Sequence, residues 1–300
     1  MSAKKLRQLV SFWGSLLVAG ALWAVIGRAG EFDARKVQAA AEKGDSGAEF
    51  LLGRAYDTGQ GMPRNEAKAL EYYRKAANHG NPMAQNNLAS LYASGTGGVQ
   101  QDQAEARKWL RKAAEQGAAL AQDNLGLMLL QANGAEAAQW FEKSAAQGFL
   151  AAQLHLGNLY YNGGSGIEKD YAKAAKWMRK AAEQKSPWAE NILGVMYENG
   201  YGVPRDPTAA RGWFQHAAEQ GDAKAQSNLG QLLCSGNGVQ TKPEEGYKWL
   251  TLSAEHREVT AVKFLNDFQT GMTPEQIAAG KKLVQEYKLR QRSGPPDKKD

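Results

Sequence analysis

The sequence predicts an all-α protein, an α–α superhelical solenoid of about six helix-turn-helix repeats. Three patterns recur in register along the 300 residues: an aromatic residue, a Leu-Gly pair and a pair of small residues. Such self-similarity is the sequence signature of a repeat array, in which each unit packs only on its neighbours. The length of the chain therefore does not imply two ordinary globular domains.

The aromatic residues mark one helix of each unit, which we call helix B. Their spacings are 37, 31, 37, 36 and 36 residues, and they account for five of the eight tryptophans. Four residues after each comes a small pair such as Ala113-Ala114, which allows close packing between neighbouring helices. The members of this column are Tyr72, Trp109, Trp140, Trp177, Trp213 and Trp249.

A second helix, helix A, precedes helix B in every unit. Its mark is a Leu-Gly-x-x-Tyr-like motif, as in Leu193-Gly194 followed by Tyr197. Apolar residues at i, i+4 and i+8 (Ala189, Leu193, Tyr197) form one stripe. The glycine has no side chain, so helix B can approach closely there. The motif begins at Leu52, Leu88, Leu125, Leu156, Leu193 and Leu229.

Glycine-rich turns separate helix A from helix B. The clearest are Gly200-Tyr201-Gly202-Val203 and Gly236-Asn237-Gly238-Val239, where glycine permits positive φ and ends the helix. Asp102, Asp170 and Asp206 then stand where an N-cap belongs.

The third unit has lost this turn. Leu129 is 11 residues before Trp140, whereas the other units use 16 or 17. Its two helices must join tightly through Asn133-Gly134, which predicts a local change in superhelical curvature.

The N-terminus has the pattern of an export segment. Basic residues at positions 4, 5 and 7 precede an apolar run of 18 residues from Leu9 to Ile26. A positive region followed by an apolar one is typical of a signal peptide, and the run is just long enough to span a bilayer as an N-terminal apolar anchor helix. Cleavage after Ala29 and retention as an uncleaved anchor are both open, with the anchor preferred. In either case the rest of the chain is translocated.

The repeat motifs resemble the Sel-1-like repeat family, a relative of the tetratricopeptide repeat. The resemblance rests on Leu-Gly-x-x-Tyr, Gly-x-Gly-Val-x-x-Asp and Trp-x-x-x-Ala-Ala-x-x-Gly, which recur over about 34–257. It implies a right-handed superhelix whose concave surface is lined by helix A. It also implies a role as an adaptor or scaffold, and many bacterial members are exported.

The periodicity and the resemblance divide the chain into four parts. Residues 1–29 are a signal peptide or signal anchor, 30–257 the repeats, 258–292 C-terminal capping helices and 293–300 a disordered tail. A cap is required physically because the last repeat otherwise exposes its core face. The predicted repeats are 45–80, 81–117, 118–148, 149–185, 186–221 and 222–257.

The sequence offers no constellation of catalytic, cofactor-binding or metal-binding residues. Cys234 is the only cysteine and cannot form an intramolecular disulfide. The four histidines have no partner at metal-ligand spacing, and no nucleophile elbow is present. We therefore expect a protein that is not an enzyme and has no cofactor, no metal and no small-molecule substrate.

The charge distribution argues against a nucleic-acid partner. The net charge of +6 is concentrated at the two ends, which leaves residues 30–280 near neutral. A nucleic-acid surface requires a basic stripe on the folded part, and none is expected here.

Helix geometry predicts a partner groove on the concave helix A surface. If Leu, Gly and Tyr face helix B, then residues two before the Leu, one after the Gly and one after the Tyr face away from it. These columns are apolar in the third to fifth repeats, and exposed apolar patches commonly mark interaction sites. The alternative is that packing around the shortened repeat buries them. The candidate groove residues are Asn86, Asp123, Leu127, Leu130, Leu154, Asn158, Tyr161, Trp188, Asn191, Val195 and Glu198.

Three functional hypotheses follow from the repeat and the export segment. The preferred one is a non-enzymatic scaffold or adaptor of the bacterial cell envelope that binds a protein or peptide. It is anchored in the inner membrane and faces the periplasm, or is periplasmic or secreted if cleaved. The alternative is a released virulence or regulatory factor that acts on an extracellular partner. A wall-active hydrolase is the least favoured.

Overall fold

The computed structural model describes residues 34–293, and this part of the chain is entirely helix and turn. It holds 15 α-helices and no β-strand, with a single isolated antiparallel bridge between Gly164 and Ile167. The predicted export segment, residues 1–29, and residues 294–300 of the predicted tail lie outside the described residues.

The helices alternate as the repeat pattern predicts. In chain order the helices are α1 Ala34–Ala41, α2 Ser46–Thr58, α3 Glu66–Asn78, α4 Pro82–Ser94, α5 Gln103–Glu115, α6 Ala119–Leu129, α7 Gly134–Ala146, α8 Leu150–Asn162, α9 Tyr171–Glu183, α10 Pro187–Asn199, α11 Pro207–Glu219, α12 Ala223–Ser235, α13 Pro243–Glu255, α14 Val259–Gln269 and α15 Pro274–Ser293. Helix A of the six repeats is α2, α4, α6, α8, α10 and α12, and helix B is α3, α5, α7, α9, α11 and α13. The last two helices, α14 and α15, lie in the region predicted to cap the array.

The chain forms two compact units that divide after Ala121, in the first turn of α6. The N-terminal unit contains α1 to α5, and its helices A and B pack side by side around a small core that includes Ala48 and Leu52. The C-terminal unit contains the rest of α6 and α7 to α15. Its core clusters centre on Met178 with Leu193, and on Phe214 with Leu229.

The motif glycine of helix A lets a large side chain of helix B lie against the backbone. A Cβ placed on Gly126 would come within 2.6 Å of the Phe141 ring, and Phe141 is only 1% exposed. Gly194 and Phe214 repeat this arrangement in the fifth repeat. The close approach expected from the sequence is therefore confirmed, and a fully buried ring depends on it.

The predicted helix ends are confirmed. The carboxylates of Asp102, Asp170 and Asp206 accept hydrogen bonds from backbone N–H groups in the first turn of α5, α9 and α11. Gly200 ends α10 in the left-handed conformation, with φ of 74°. Satisfying the free groups at helix ends in this way removes the cost of leaving them unpaired.

The shortened third repeat joins its helices through residues 130–133, and the Asn133 side chain caps α7 by accepting from the Glu136 N–H. Gly134 packs directly against the backbone carbonyl of Ser165, in the glycine-rich turn of the next repeat. That turn thus fills the space left by the missing one. The associated change in curvature stays a prediction.

The last two helices do not pair with each other as a seventh repeat. α15 instead lies along α13, where the Tyr287 ring is 5.3 Å from the Trp249 ring. The Tyr287 O–H donates to the carbonyl oxygens of Ala218 and Glu219 at the end of α11. Helix B of the sixth repeat is thereby covered.

Within residues 34–293, no helix combines the length and the apolar character needed to cross a membrane.

Helix B ends on a left-handed residue in every repeat, and two of these residues are not glycine. Lys185 and Arg257 both have φ of 60°, whereas the equivalent Gly148 has φ of 86° and no atom within 4 Å of a Cβ. We expect Lys185→Gly to stabilise the protein by about 0.5–1 kcal/mol, because left-handed strain is worth about 1–2 kcal/mol and glycine's extra chain entropy offsets part of it.

Thermal and urea unfolding followed by circular dichroism measure this difference. The matched control is Gly148→Ala, which places the same strain in the third repeat and should destabilise by about 1 kcal/mol. A Lys185→Gly protein no more stable than wild type would contradict the expectation.

Candidate protein-binding surface

Buried amides fix helix A of the second, fourth and sixth repeats against the C-terminal end of a helix B. Gln85, Gln153 and Gln226 are at most 4% exposed. Each donates an Nε2–H to a backbone carbonyl in the last turn of the preceding helix B, that of Ala77, Ala145 or Ala218, at 3.0, 3.2 and 3.2 Å. Buried carbonyl groups at helix ends need such partners, so this column sets the register between repeats.

A second amide, at the end of helix B, completes the pattern. Gln116 donates to the Oε1 of Gln85 at 2.8 Å, and Gln184 donates to the Oε1 of Gln153 at 2.8 Å. The sixth repeat breaks the series, because His256 replaces this glutamine and the Oε1 of Gln226 has no partner. Helix A is therefore held on its helix B side by polar contacts, which leave its opposite side open.

Hydrogen bonds between successive helices A correct part of the predicted groove. Asp123 is 3% exposed and pairs with the His155 Nδ1 at 2.8 Å. Asn191 is 4% exposed and accepts from the Asn228 Nδ2 at 2.8 Å. Asn86 is also buried, at 9%. These three side chains are buried and do not line an open groove; Asp123 and Asn191 are buried because each bonds to the next helix A.

The fourth and fifth repeats lack this polar link. At the equivalent positions stand Leu154 and Ile192, both half-buried and both packed on the core cluster of α9 and α10. Trp188 packs on the same cluster one turn earlier. Between the Asp123–His155 and Asn191–Asn228 pairs, the helix A surface of the C-terminal unit is therefore apolar.

The remaining predicted groove residues lie on this surface with part of their area open. Leu127, Leu130, Tyr161, Val195 and Glu198 are half-buried, and Asn158 is exposed. Asn158 is bonded to Asn162 within its own helix, at 2.6 Å. Their use as a partner site stays a prediction. We call Leu154, Tyr161, Trp188, Ile192 and Val195 the apolar patch.

Sequence reasoning missed a tyrosine cluster beside the apolar patch. Tyr171, the first residue of α9, stacks on Tyr201 of the next repeat's turn with ring centroids 4.8 Å apart. Tyr161 meets Tyr171 edge-on at 5.5 Å. Gly202 lies so close to the Tyr171 backbone that only glycine fits there. The signal was present, since Tyr201 and Tyr171 are the only aromatic residues at their repeat positions.

Two charged residues flank Tyr201 in the chain, Glu198 before it and Arg205 after it. Glu198 is half-buried, and this burial raises the pKa of its carboxyl while the nearby Arg205 acts in the opposite direction. Arg205 donates its Nε–H to the Glu198 backbone carbonyl at 3.0 Å and an NH2 group to Asn237 Oδ1 at 2.9 Å. Its hydrogen bonds therefore go to groups other than the Glu198 carboxylate.

The N-terminal unit contains a short basic row, which the near-neutral net charge of residues 30–280 did not predict. The outer face of α5 carries Arg107, Lys108, Arg111 and Lys112 in succession. Part of this charge is engaged, since Lys108 pairs with Glu105 at 3.2 Å and Lys112 lies 4.3 Å from the Trp109 ring. The expectation of no basic stripe therefore needs correction for α5, and also for α9, which carries four exposed basic residues.

The described residues contain no group of three or more side chains able to hold a metal ion. Burial raises the pKa of the Cys234 thiol to about 12, so the thiol stays protonated at neutral pH. The His155 ring has one hydrogen bond in the described part, to Asp123.

Comparison with known proteins agrees with this architecture. Sel1 repeats match residues 46–81, 82–117, 119–149, 150–186, 189–222 and 223–257. No curated protein sequence matches the chain.

Two solved structures are similar in both sequence and fold. A Sel1 repeat protein from Oxalobacter formigenes is 31% identical over 72% of this chain and 90% of its own, with a TM-score of 0.58. A protective antigen of uropathogenic Escherichia coli strains, which displays an SLR fold, is 30% identical over 85% of this chain, with a TM-score of 0.53. The present chain spans only 63% of that antigen.

Helix pairs in register, glycine-mediated packing and polar links between repeats define an all-α repeat solenoid. With six repeats matched across most of its length, the chain belongs to the Sel1 repeat family. Proteins of this family generally act as scaffolds that mediate protein–protein interaction, and they are typically non-catalytic.

The buried amide column contains one carboxylic acid in the C-terminal unit, Glu190, which is 4% exposed and accepts from the Gln220 Nε2 at 2.6 Å. Burial raises its pKa, against smaller opposite effects of His216 and Gln220. When the pKa of a carboxyl group is higher in the folded than in the unfolded protein, the group contributes its full stability to the fold below its unfolded pKa. That contribution to the free energy of unfolding is lost as the pH rises through the folded pKa. We expect Glu190→Gln to raise Tm by about 2–4 °C at about pH 7.5, the shift given by about 1 kcal/mol.

The gain should shrink towards zero near about pH 4, where Glu190 is protonated and resembles glutamine. Melting curves over this pH range test the sign, with the exposed Glu183→Gln as the control that changes charge without burial. An equal shift at both pH values would show that the buried charge is not the cause.

Proposed function

We propose that this chain is a non-enzymatic adaptor of the bacterial cell envelope that binds a protein or peptide through the helix A surface of its C-terminal unit. The observation that carries the proposal is the apolar patch, where polar links between helices A give way to Leu154 and Ile192. Interaction surfaces combine an apolar centre with a polar rim. Here the rim consists of His155, Asn158 and Glu198.

The envelope location in this proposal rests on the N-terminal pattern. A basic start followed by a largely apolar run of 18 residues is typical of an export signal or signal anchor. We prefer the anchor facing the periplasm, which leaves the repeats free to hold a partner near the membrane.

A hydrolase is less well supported than an adaptor. The Asp123–His155 pair resembles part of a catalytic triad, yet no hydroxyl or thiol of the described residues bonds to the imidazole. A nucleophile within hydrogen-bond reach of its base is the mark of such a site.

The helix A surface is tested by the double variant Leu127→Glu/Tyr161→Glu, which changes one residue of the apolar patch and one half-buried leucine of the preceding repeat. Two carboxylates on the apolar surface should lower partner capture from envelope fractions at least tenfold, because burying an unpaired charge in an interface is costly. Crosslinking pull-down with quantitative mass spectrometry measures the loss, and circular dichroism checks that helix content is unchanged.

The matched control adds two carboxylates on helix B of the same unit, Gln139→Glu with Ala172→Glu, both at exposed positions. Capture should be unchanged in this control. If the groove variant captures the same partners as wild type, the helix A surface is not the binding site.

The anchor is tested by sequencing the N-terminus of protein recovered from envelope fractions. An intact N-terminus in the membrane fraction is the expected result. A mature N-terminus near Gly30 in the soluble fraction would instead support the released factor.

A further inference from the structure

The helices carry a regular pattern in which lysines cover aromatic rings. A lysine three residues after the helix B aromatic lies over its face in four repeats, at 5.1 Å for Tyr72, 4.3 Å for Trp109, 4.0 Å for Trp140 and 4.9 Å for Trp177. Lys248 covers Trp249 at 3.8 Å. A cation within about 6 Å of a ring centroid is attracted by the ring's negative face.

The tyrosine cluster departs from this pattern. No cation of the described residues lies over Tyr161, Tyr171 or Tyr201, although Lys173 follows Tyr171 by two residues. Lys173 is directed elsewhere, to the Tyr160 ring at 5.0 Å and to Asp170 at 3.2 Å. The Tyr171 ring covers one face of the Tyr201 ring, and Tyr201 remains 37% exposed.

A carboxylate precedes Tyr201 by one turn of chain at the end of α10. Glu198 holds the position in the fifth repeat that Tyr161 holds in the fourth, and Tyr201 follows it by three residues. Its carboxylate is half-buried and makes no hydrogen bond or ion pair among residues 34–293. A half-buried carboxylate gains from a cationic partner, because pairing offsets the cost of its burial.

The charges of the helix A layer agree with a cationic ligand. In the C-terminal unit, α6, α8 and α10 contain no Lys or Arg, whereas the helix B segment α9 contains four. The helix A surface of the third to fifth repeats thus presents aromatic faces and an acid, and these three helices supply no competing cation; Lys224 of α12, in the sixth repeat, is the one Lys or Arg within helix A of this unit.

We propose that the tyrosine cluster and Glu198 form a subsite for a Lys or Arg side chain of the bound protein or peptide. This inference rests on the proposed function and adds the partner's chemistry. The exposed face of Tyr201 and the edge of Tyr161 hold the cation, Glu198 pairs with it, and the neighbouring apolar residue of the partner enters the patch at Val195 and Leu154.

The test selects binders from a display library of random 12-residue peptides on the full-length protein in detergent. Selected peptides should contain a Lys or Arg beside an aliphatic or aromatic residue. Fluorescence anisotropy should show that Tyr201→Ala and Glu198→Gln each weaken binding about tenfold, while Tyr201→Phe, which keeps the ring, binds like wild type.

A double-mutant cycle assigns the contact. Replacing the peptide's basic residue by glutamine should weaken binding to wild type about tenfold or more, and should have little further effect on Tyr201→Ala/Glu198→Gln. Leu154→Glu tests the surrounding patch in parallel, with Leu154→Asn as its substitute if that protein does not fold.

The outcomes separate the two proposals. If the selected peptides lose binding with the Leu154 variants and yet lack a basic residue, the cation subsite is overturned and the proposed surface stands. The same conclusion holds if those peptides bind the Tyr201 and Glu198 variants as they bind wild type. If no selected peptide is sensitive to the Leu154 variants, both proposals fail.

Discussion

The structure depends on the buried polar side chains, mostly amides, that tie helix A to the end of a helix B. A repeat array has no central core, so its register must be fixed again at every joint. Apolar packing alone specifies the distance between two helices better than their position along the axis. The Gln85 and Gln153 side chains fix the axial position of helix A, because each donates a hydrogen bond to one backbone carbonyl at the end of a helix B.

The glycine of the Leu-Gly motif solves the complementary problem of distance. With a Cβ at Gly194, the Phe214 ring could not lie where it is fully buried. Amide links fix the axial position and the glycine–ring contact fixes the separation. The other residues of helix A are then free to vary, which suits a surface for a partner.

Functional interest therefore lies where a repeat departs from its own pattern. In the middle of the C-terminal unit, Leu154 and Ile192 replace the polar residues that link successive helices A elsewhere in the unit. At the adjacent turn, Tyr171 and Tyr201 replace residues that are not aromatic elsewhere. Both changes enlarge the part of the surface that offers aromatic and apolar contact.

The sequence by itself determined the helices, their order, the caps at Asp102, Asp170 and Asp206, and the close packing at the motif glycines. These features follow from the side-chain chemistry of a few neighbouring residues and from the periodicity of the sequence, and each motif recurs in most of the six repeats. Only the tertiary structure decided which helix A residues remain open, because a helix in this array has neighbours on several sides. Asp123 and Asn191 are buried by the next helix A, while Tyr201 meets Tyr171 from a turn some thirty residues later in the chain. Contacts between repeats depend on the position and orientation of one repeat relative to the next, and the sequence pattern within a single repeat does not determine that geometry.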